Sequence, residues 1–196
     1  MIVGLTGGIG SGKTTVVQFF QELSNIAVYI ADSEAKKLMN SSVRIQSKMI
    51  KEFGKEAYKN NQLNRTYIAN IVFKNKQKLA VLNAIVHPEV EKHFQEFIIK
   101  NKDKSYILYE NAILFENQSN FICDFIITVS APLETRIQRV MERDKSTKEV
   151  VLDRIKNQWT EDKKMLQSNY VIENTSLENT KNQVIRIHNI LTEKQL

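Results

Sequence analysis

Gly7-Gly8-Ile9-Gly10-Ser11-Gly12-Lys13-Thr14 matches G-x-x-x-x-G-K-[ST] at every fixed position, and both flanks agree with it. Ile2-Val3-Gly4-Leu5-Thr6 before the loop reads as a short buried strand. After it, Val16, Phe19, Phe20 and Leu23 recur at i, i+3, i+4 and i+7, the apolar stripe of a helix. Strand, glycine turn and helix in that order commit the chain to an α/β fold built around a phosphate-binding loop. Four of the chain's six glycines lie inside this one turn.

The residue types follow from what an anion demands. A polyphosphate needs several donors converging on it, and backbone N–H groups converge only where the chain curls tightly, which glycine permits. The helix that follows points its unpaired N–H groups and the positive end of its dipole at the same place. Lys13 is expected to reach the β- and γ-phosphates and the Thr14 hydroxyl to bind Mg²⁺.

Four more β-like runs follow: 26–30, 106–109, 125–129 and 170–172, most of them succeeded by a helical pattern. Strands alternating with helices imply a five-stranded parallel sheet covered on both faces, a three-layer architecture. Val184, Ile187 and Leu191 mark the last cover helix. Between them, 33–102 carries no convincing strand and keeps helical spacing, with breaks expected at Phe53-Gly54 and Asn60-Asn61. His87-Pro88 reads as a turn between two helices, because proline biases the residue before it away from helix. The expected organisation is one domain: a core at about 1–32, 103–132 and 166–196, a helical insertion on the substrate side at about 33–102, and a helical lid at about 133–165.

Composition narrows the class. The net charge of +6 suggests an anionic partner, and Arg136 to Lys164 holds nine Lys/Arg against six Asp/Glu, half of that excess. No aromatic–basic interleaving marks a nucleic-acid surface, so no nucleic-acid partner is expected. No run of about 18 apolar residues is present, so no membrane span is expected, and no charged leader precedes the first strand; the cytoplasm is the expected compartment. Cys123 is the only cysteine, which excludes an intrachain disulfide.

The loop specifies phosphate, not a reaction. A GTPase would carry N-K-x-D, and Asn75-Lys76-Gln77-Lys78 lacks the acid. A small chain with an inserted helical segment and a late arginine-bearing segment fits a kinase of a small molecule, which must exclude water at transfer. Asp32 follows the second strand at the sheet edge where the loop opens, placed to accept or orient a hydroxyl proton or to join a metal shell; it also reads as an ordinary helix-start acid. Arg136, Arg139 and Arg143 share one helical face, either as a phosphate clamp or as a solvated stripe paired with Glu142, Asp144 or Asp153.

Taken in order, Gly4 to Thr15, Ala31-Asp32, His87-Pro88, Leu114-Phe115-Glu116, Arg139 with Arg143-Asp144, Arg154 with Gln158, and Val171-Ile172-Glu173-Asn174 resemble the dephospho-CoA kinase family over essentially the full length. The resemblance implies a P-loop kinase fold and transfer of the ATP γ-phosphoryl to the ribose 3′-hydroxyl of dephospho-CoA, with Mg²⁺, by a monomer or small homo-oligomer. It implies that Gly10, Ser11, Gly12, Lys13, Thr14 and Thr15 hold ATP, that Lys13 stabilises the transferring group, and that Asp32 is the base or orienting group. Arg143 would be the lid arginine, the segment bearing His87 would hold the CoA moiety, and the Asn174 region would border the adenine. The family often has Asp-Ala-Asp where this chain reads Ile30-Ala31-Asp32, and a proline where this chain has Ala112. Ser168-Asn169 and Thr175 likewise replace the usual Ala-Asp and glycine.

Overall fold

In the computed structural model, which describes residues 1–194, the chain divides into two compact units. The first comprises Met1–Tyr29 and the described residues from Asp103 onward; the second is Ile30–Lys102.

The first unit is built on a five-stranded parallel sheet of β1 (Ile2–Gly7), β2 (Ile26–Ile30), β5 (Tyr106–Glu110), β6 (Phe125–Ser130) and β7 (Tyr170–Glu173), in the order β2-β5-β1-β6-β7. β1 is central and pairs with parallel β5 from Ile2↔Ile107 and with parallel β6 from Val3↔Phe125. It is buried on both faces, as a doubly covered strand requires: Val3 and Leu5 on one face and Gly4 and Thr6 on the other are all buried. The chain fills one side of β1 first and then the other, so the carboxyl end of β1 is the topological switch point, where open α/β sheets bind ligands. The strand positions agree with those expected from the sequence.

Helices α1 (Lys13–Gln21) and α9 (Leu177–Glu193) pack together, burying Val16, Val17 and Phe20 from one and Val184, Ile187 and Leu191 from the other. The helices α6 (Leu133–Asp144) and α7 (Lys148–Lys156) bury Ile137, Val140 and Val151 as a cluster, against which the loop's one apolar residue, Ile9, packs. The short helix α8 (Glu161–Leu166) carries Lys164, a fully buried lysine. Its Nζ lies 2.8 Å from Glu116 Oε1 and donates to the Ala112 carbonyl at 3.0 Å. Glu116 Oε1 also accepts the Trp159 N–H at 2.9 Å, and the Trp159 ring stacks on Phe115 with centroids 5.5 Å apart. Burial alone would raise the Glu116 pKa, yet the Lys164 ammonium and the Trp159 amide outweigh it and hold the carboxyl below its ordinary value.

The second unit holds α2 (Ala31–Ser41), α3 (Val43–Phe53), α4 (Arg65–Val72) and α5 (Lys76–Lys100) around Ile45, Met49, Phe53, Ala57, Ile68 and Ile85. Ser42 and Asn64 cap α3 and α4, and Gly54 ends α3 at φ +87°, the break expected there. Two features differ from expectation. A small hairpin, β3 (Tyr58–Lys59) with β4 (Gln62–Leu63), turns on Asn60 and Asn61, both at positive φ. Two-residue strands are too short to show periodicity, so only their turn is visible in the sequence. The helix α5 also runs straight through His87-Pro88 with no turn there. Pro88 removes the N–H that would bond the Ala84 carbonyl, but Ala84 is an exposed residue, where solvent can take the place of that donor. Ile85 and Val86 before the proline and Phe94 after it are buried, which keeps both halves docked.

Removing the Glu116 carboxylate strands a buried ammonium. Glu116→Ala should therefore lower unfolding free energy by about 3–5 kcal/mol in urea titrations. Pairing Glu116→Leu with Lys164→Met should recover most of that loss.

Candidate active site

Donors from several elements hold the carbonyls of the loop at the end of β1. Lys13 Nζ donates to the Gly7 carbonyl at 2.8 Å and to the Gly8 carbonyl at 3.2 Å, and Gly8 O also accepts the Ser11 N–H at 3.1 Å. Arg136 Nε donates to Ile9 O at 3.0 Å. Asn174 Nδ2 donates to Ser11 O at 2.8 Å, and the Val16 N–H to Gly12 O at 3.2 Å. Gly12, left-handed at φ +92°, starts α1, and the N–H groups of Lys13, Thr14 and Thr15 form its first turn, where no preceding turn of helix supplies carbonyls. Glycine at position 12 is obligatory for a second reason: a Cβ there would overlap Asn174 Nδ2. Lys13 is half-buried and Thr14 exposed, so both side chains are accessible to a bound phosphate.

The three arginines of α6 have three separate environments. Arg136 is neither a clamp nor part of a solvated stripe. It is 5% exposed, pairs with Glu161 at 2.9 Å and anchors the loop at Ile9, whose own N–H donates to Gln158 Oε1 at 2.9 Å. Arg139 donates from Nη2 to the Asn174 carbonyl at 3.2 Å, while its buried Nη1 has no hydrogen-bond partner and lies beside Gly12. Arg143 is largely exposed and lies 2.7 Å from Asp144, which Arg154 also holds, at 2.6 Å. The hydrogen bond from Arg143, reinforced by Arg154, pushes the Asp144 carboxyl down to about 2. Because Arg154 remains on that carboxylate, Arg143 can leave it without stranding the charge.

Asn174, which the sequence resemblance sets beside the adenine, has its side chain buried and occupied by Ser11 and by Thr180. Asp32 and His87 belong to the second unit. Asp32 is the second residue of α2, exposed, and follows β2 with no intervening loop. His87 is an exposed residue of α5. The residues that sequence reasoning misses are Glu161 and Thr180, whose loop-bracing roles arise from pairing with partners remote in the chain. Among the described residues, no group of three or more His, Cys, Asp and Glu forms a metal cluster.

The family model described as dephospho-CoA kinase matches residues 1–179. A Fusobacterium nucleatum protein named dephospho-CoA kinase is 38% identical over 177 residues, covering 90% of each chain. The crystal structure of TT1252 from Thermus thermophilus superposes with a TM-score of 0.86 at 28% identity, over 97% of this chain and 96% of that one. A dephospho-CoA kinase from Campylobacter jejuni shares the fold, with a TM-score of 0.73 at 22% identity over 100% and 98% of the two chains.

Gly12 and Gly54 offer a matched comparison, since both have positive φ but only the first would collide with a polar partner. Gly12→Ala should weaken ADP binding at least about tenfold by titration calorimetry, through loss of donors aimed at the anion. Gly54→Ala should cost about 1–3 kcal/mol of stability in denaturant melts and leave ADP affinity unchanged.

Proposed function

Because this chain belongs to the dephospho-CoA kinase family, we propose that its loop from Gly7 to Thr14 holds ATP, that Lys13 stabilises the transferring phosphoryl group, and that Asp32 is the base or orienting group for the acceptor hydroxyl. The reaction is transfer of the ATP γ-phosphoryl to the ribose 3′-hydroxyl of dephospho-CoA, giving CoA and ADP, the last step of coenzyme A biosynthesis. The chain is thus an ATP-dependent phosphotransferase with an alcohol acceptor. The observation that supports this use of the site is the loop at the switch-point end of β1, its carbonyls engaged by donors of the protein, inside a family match spanning residues 1–179.

In this reading the N–H groups of Gly10 to Thr15 and the dipole of α1 bind the β-phosphate. Lys13, now on the Gly7 and Gly8 carbonyls, exchanges part of that bonding for the γ-phosphoryl oxygens as charge spreads over them. Asp32 takes the 3′-hydroxyl proton, or orients that hydroxyl, as its oxygen bonds to the γ-phosphorus. The bond between that phosphorus and the β–γ bridging oxygen breaks, and ADP leaves with the electron pair. Arg143 leaves Asp144 to neutralise the transferring group, and His87 contacts the CoA moiety. The hydroxyl of Thr14, an exposed residue at the start of α1, would hold Mg²⁺ together with phosphate oxygens and water. Mg²⁺ so held would neutralise phosphate charge and fix the phosphate geometry.

The same reading divides the chain into a nucleotide core, an acceptor-side insertion at about 33–102 and a lid at about 133–165. Among the described residues no helix is long and apolar enough to cross a membrane. We place the protein in the cytoplasm as a monomer or small homo-oligomer, with no nucleic-acid partner.

Mass spectrometry of products from a panel of acceptors with ATP and Mg²⁺ tests the reaction. CoA should form from dephospho-CoA, with nucleosides and nucleoside monophosphates untouched; the reverse pattern refutes it. Lys13→Ala should lower kcat by about 100- to 1,000-fold. Asp32→Asn should lower kcat by about 100- to 10,000-fold with ATP affinity unchanged. Near-normal turnover in the Asp32 variant would remove that residue from the chemistry.

A further inference from the structure

Behind the loop, away from any surface, Thr180 and Asn174 form a two-step hydrogen-bonded relay ending on the Ser11 carbonyl. We propose that Thr180 is a positioning residue for ATP: through the Asn174 amide it locks the plane of the Ser11–Gly12 peptide and thereby aims the Gly12 N–H at phosphate. This rests on the reading of the loop as the ATP site.

The direction of the relay follows from donor and acceptor chemistry. The Ser11 carbonyl can only accept, so the Asn174 atom 2.8 Å from it is Nδ2, and Oδ1 faces Thr180 Oγ1 at 3.0 Å. An amide oxygen needs a donor there. Thr180 Oγ1 also lies 2.7 Å from the Ser176 carbonyl, and a hydroxyl has one proton. Ser176 O also receives the Thr180 N–H at 3.0 Å, and since a carbonyl accepts two donors, the single hydroxyl proton is shared between Ser176 O, the shorter contact, and Asn174 Oδ1, which takes no part in the Ser11 bond. Asn174 is itself pinned along its backbone: its N–H donates to Ser130 O at 2.8 Å and its carbonyl accepts from Arg139. Only its side-chain torsions are left to be set, and Thr180 on α9 sets them.

Peptide planarity then carries the effect to the ligand side. In a trans peptide the C=O and N–H point in opposite directions, so a donor gripping Ser11 O from behind fixes the Gly12 N–H toward the front. Such a grip is needed because Gly12 accepts either sign of φ, so that peptide meets little local resistance to flipping. The feature that lets the loop curl is thus also its weakness, and a buried side chain compensates for it. Thr180 is fully buried behind the loop, so it acts on ATP only indirectly, and the Asn174 amide is the side chain that joins it to the Ser11 carbonyl.

Thr180→Val keeps the shape and deletes the proton; Thr180→Ser restores it. Dissociation constants for ADP by calorimetry, and for adenosine by displacement, separate phosphate binding from adenine binding. Thr180→Val should weaken ADP about tenfold, the loss of one hydrogen bond to a charged group, with adenosine changed less than about twofold. Thr180→Ser should return ADP affinity to within about twofold of the parent. Should Thr180→Val fail to fold, Thr180→Ala takes its place under the same criteria. A smaller loss for ADP, a parallel loss for adenosine, or a serine variant no better than valine overturns the proposal. These measurements read binding alone, so a parent chain that fails to phosphorylate dephospho-CoA would overturn the functional reading and leave the relay to be judged separately.

Discussion

A backbone that points several N–H groups at one anion must dispose of the carbonyls that planarity turns the other way. That constraint organises the first unit. The carbonyls of Gly7, Gly8, Ile9, Ser11 and Gly12 each accept from a donor of the protein, and those donors come from Lys13, α6, the end of β7 and α1. An unsatisfied buried carbonyl costs about 1–3 kcal/mol, so the loop's shape is set by these partners as much as by its glycines. Arg136 illustrates the demand: a guanidinium is taken almost out of water, paired with Glu161, and used to hold one backbone oxygen.

The sheet is readable in the sequence because each of its strands is a short apolar run bounded by turn residues, and burial on both faces leaves few other ways to use such a run. The loop is readable because its chemistry is compressed into eight consecutive residues. The last helix declares itself through Val184, Ile187 and Leu191, all of which are buried. Local inference fails where packing overrides it. Pro88 signals a turn by its own conformational bias, yet α5 persists through it because buried side chains on both sides hold the two halves and the residue whose carbonyl loses its donor is exposed.

The candidate site is legible to a lesser degree, and unevenly. Lys13 and Thr14 are specified by contiguous spacing. Arg136 stands out as one of a stripe, but periodicity only shows that three residues share a face; it cannot show that one of them is buried against Glu161 while another lies in solvent with Asp144. Asn174 is recognisable through resemblance and its surroundings are not, since the partner that orients it, Thr180, has no motif of its own. Roles that exist only between remote residues leave no trace in either residue's neighbourhood along the chain.

That remoteness has a consequence for how the protein is made. Ile2 finds its strand neighbours at Ile107 on one side, and Val3 at Phe125 on the other, so the amino-terminal strand leaves the ribosome long before anything exists to flank it. The residue that clasps the glycine turn from behind is translated later still, next to the final helix. A nascent chain halted just short of Asn174 would carry the whole glycine motif and yet lack the donor on the Ser11 carbonyl, so the turn is braced only once β7 has been made.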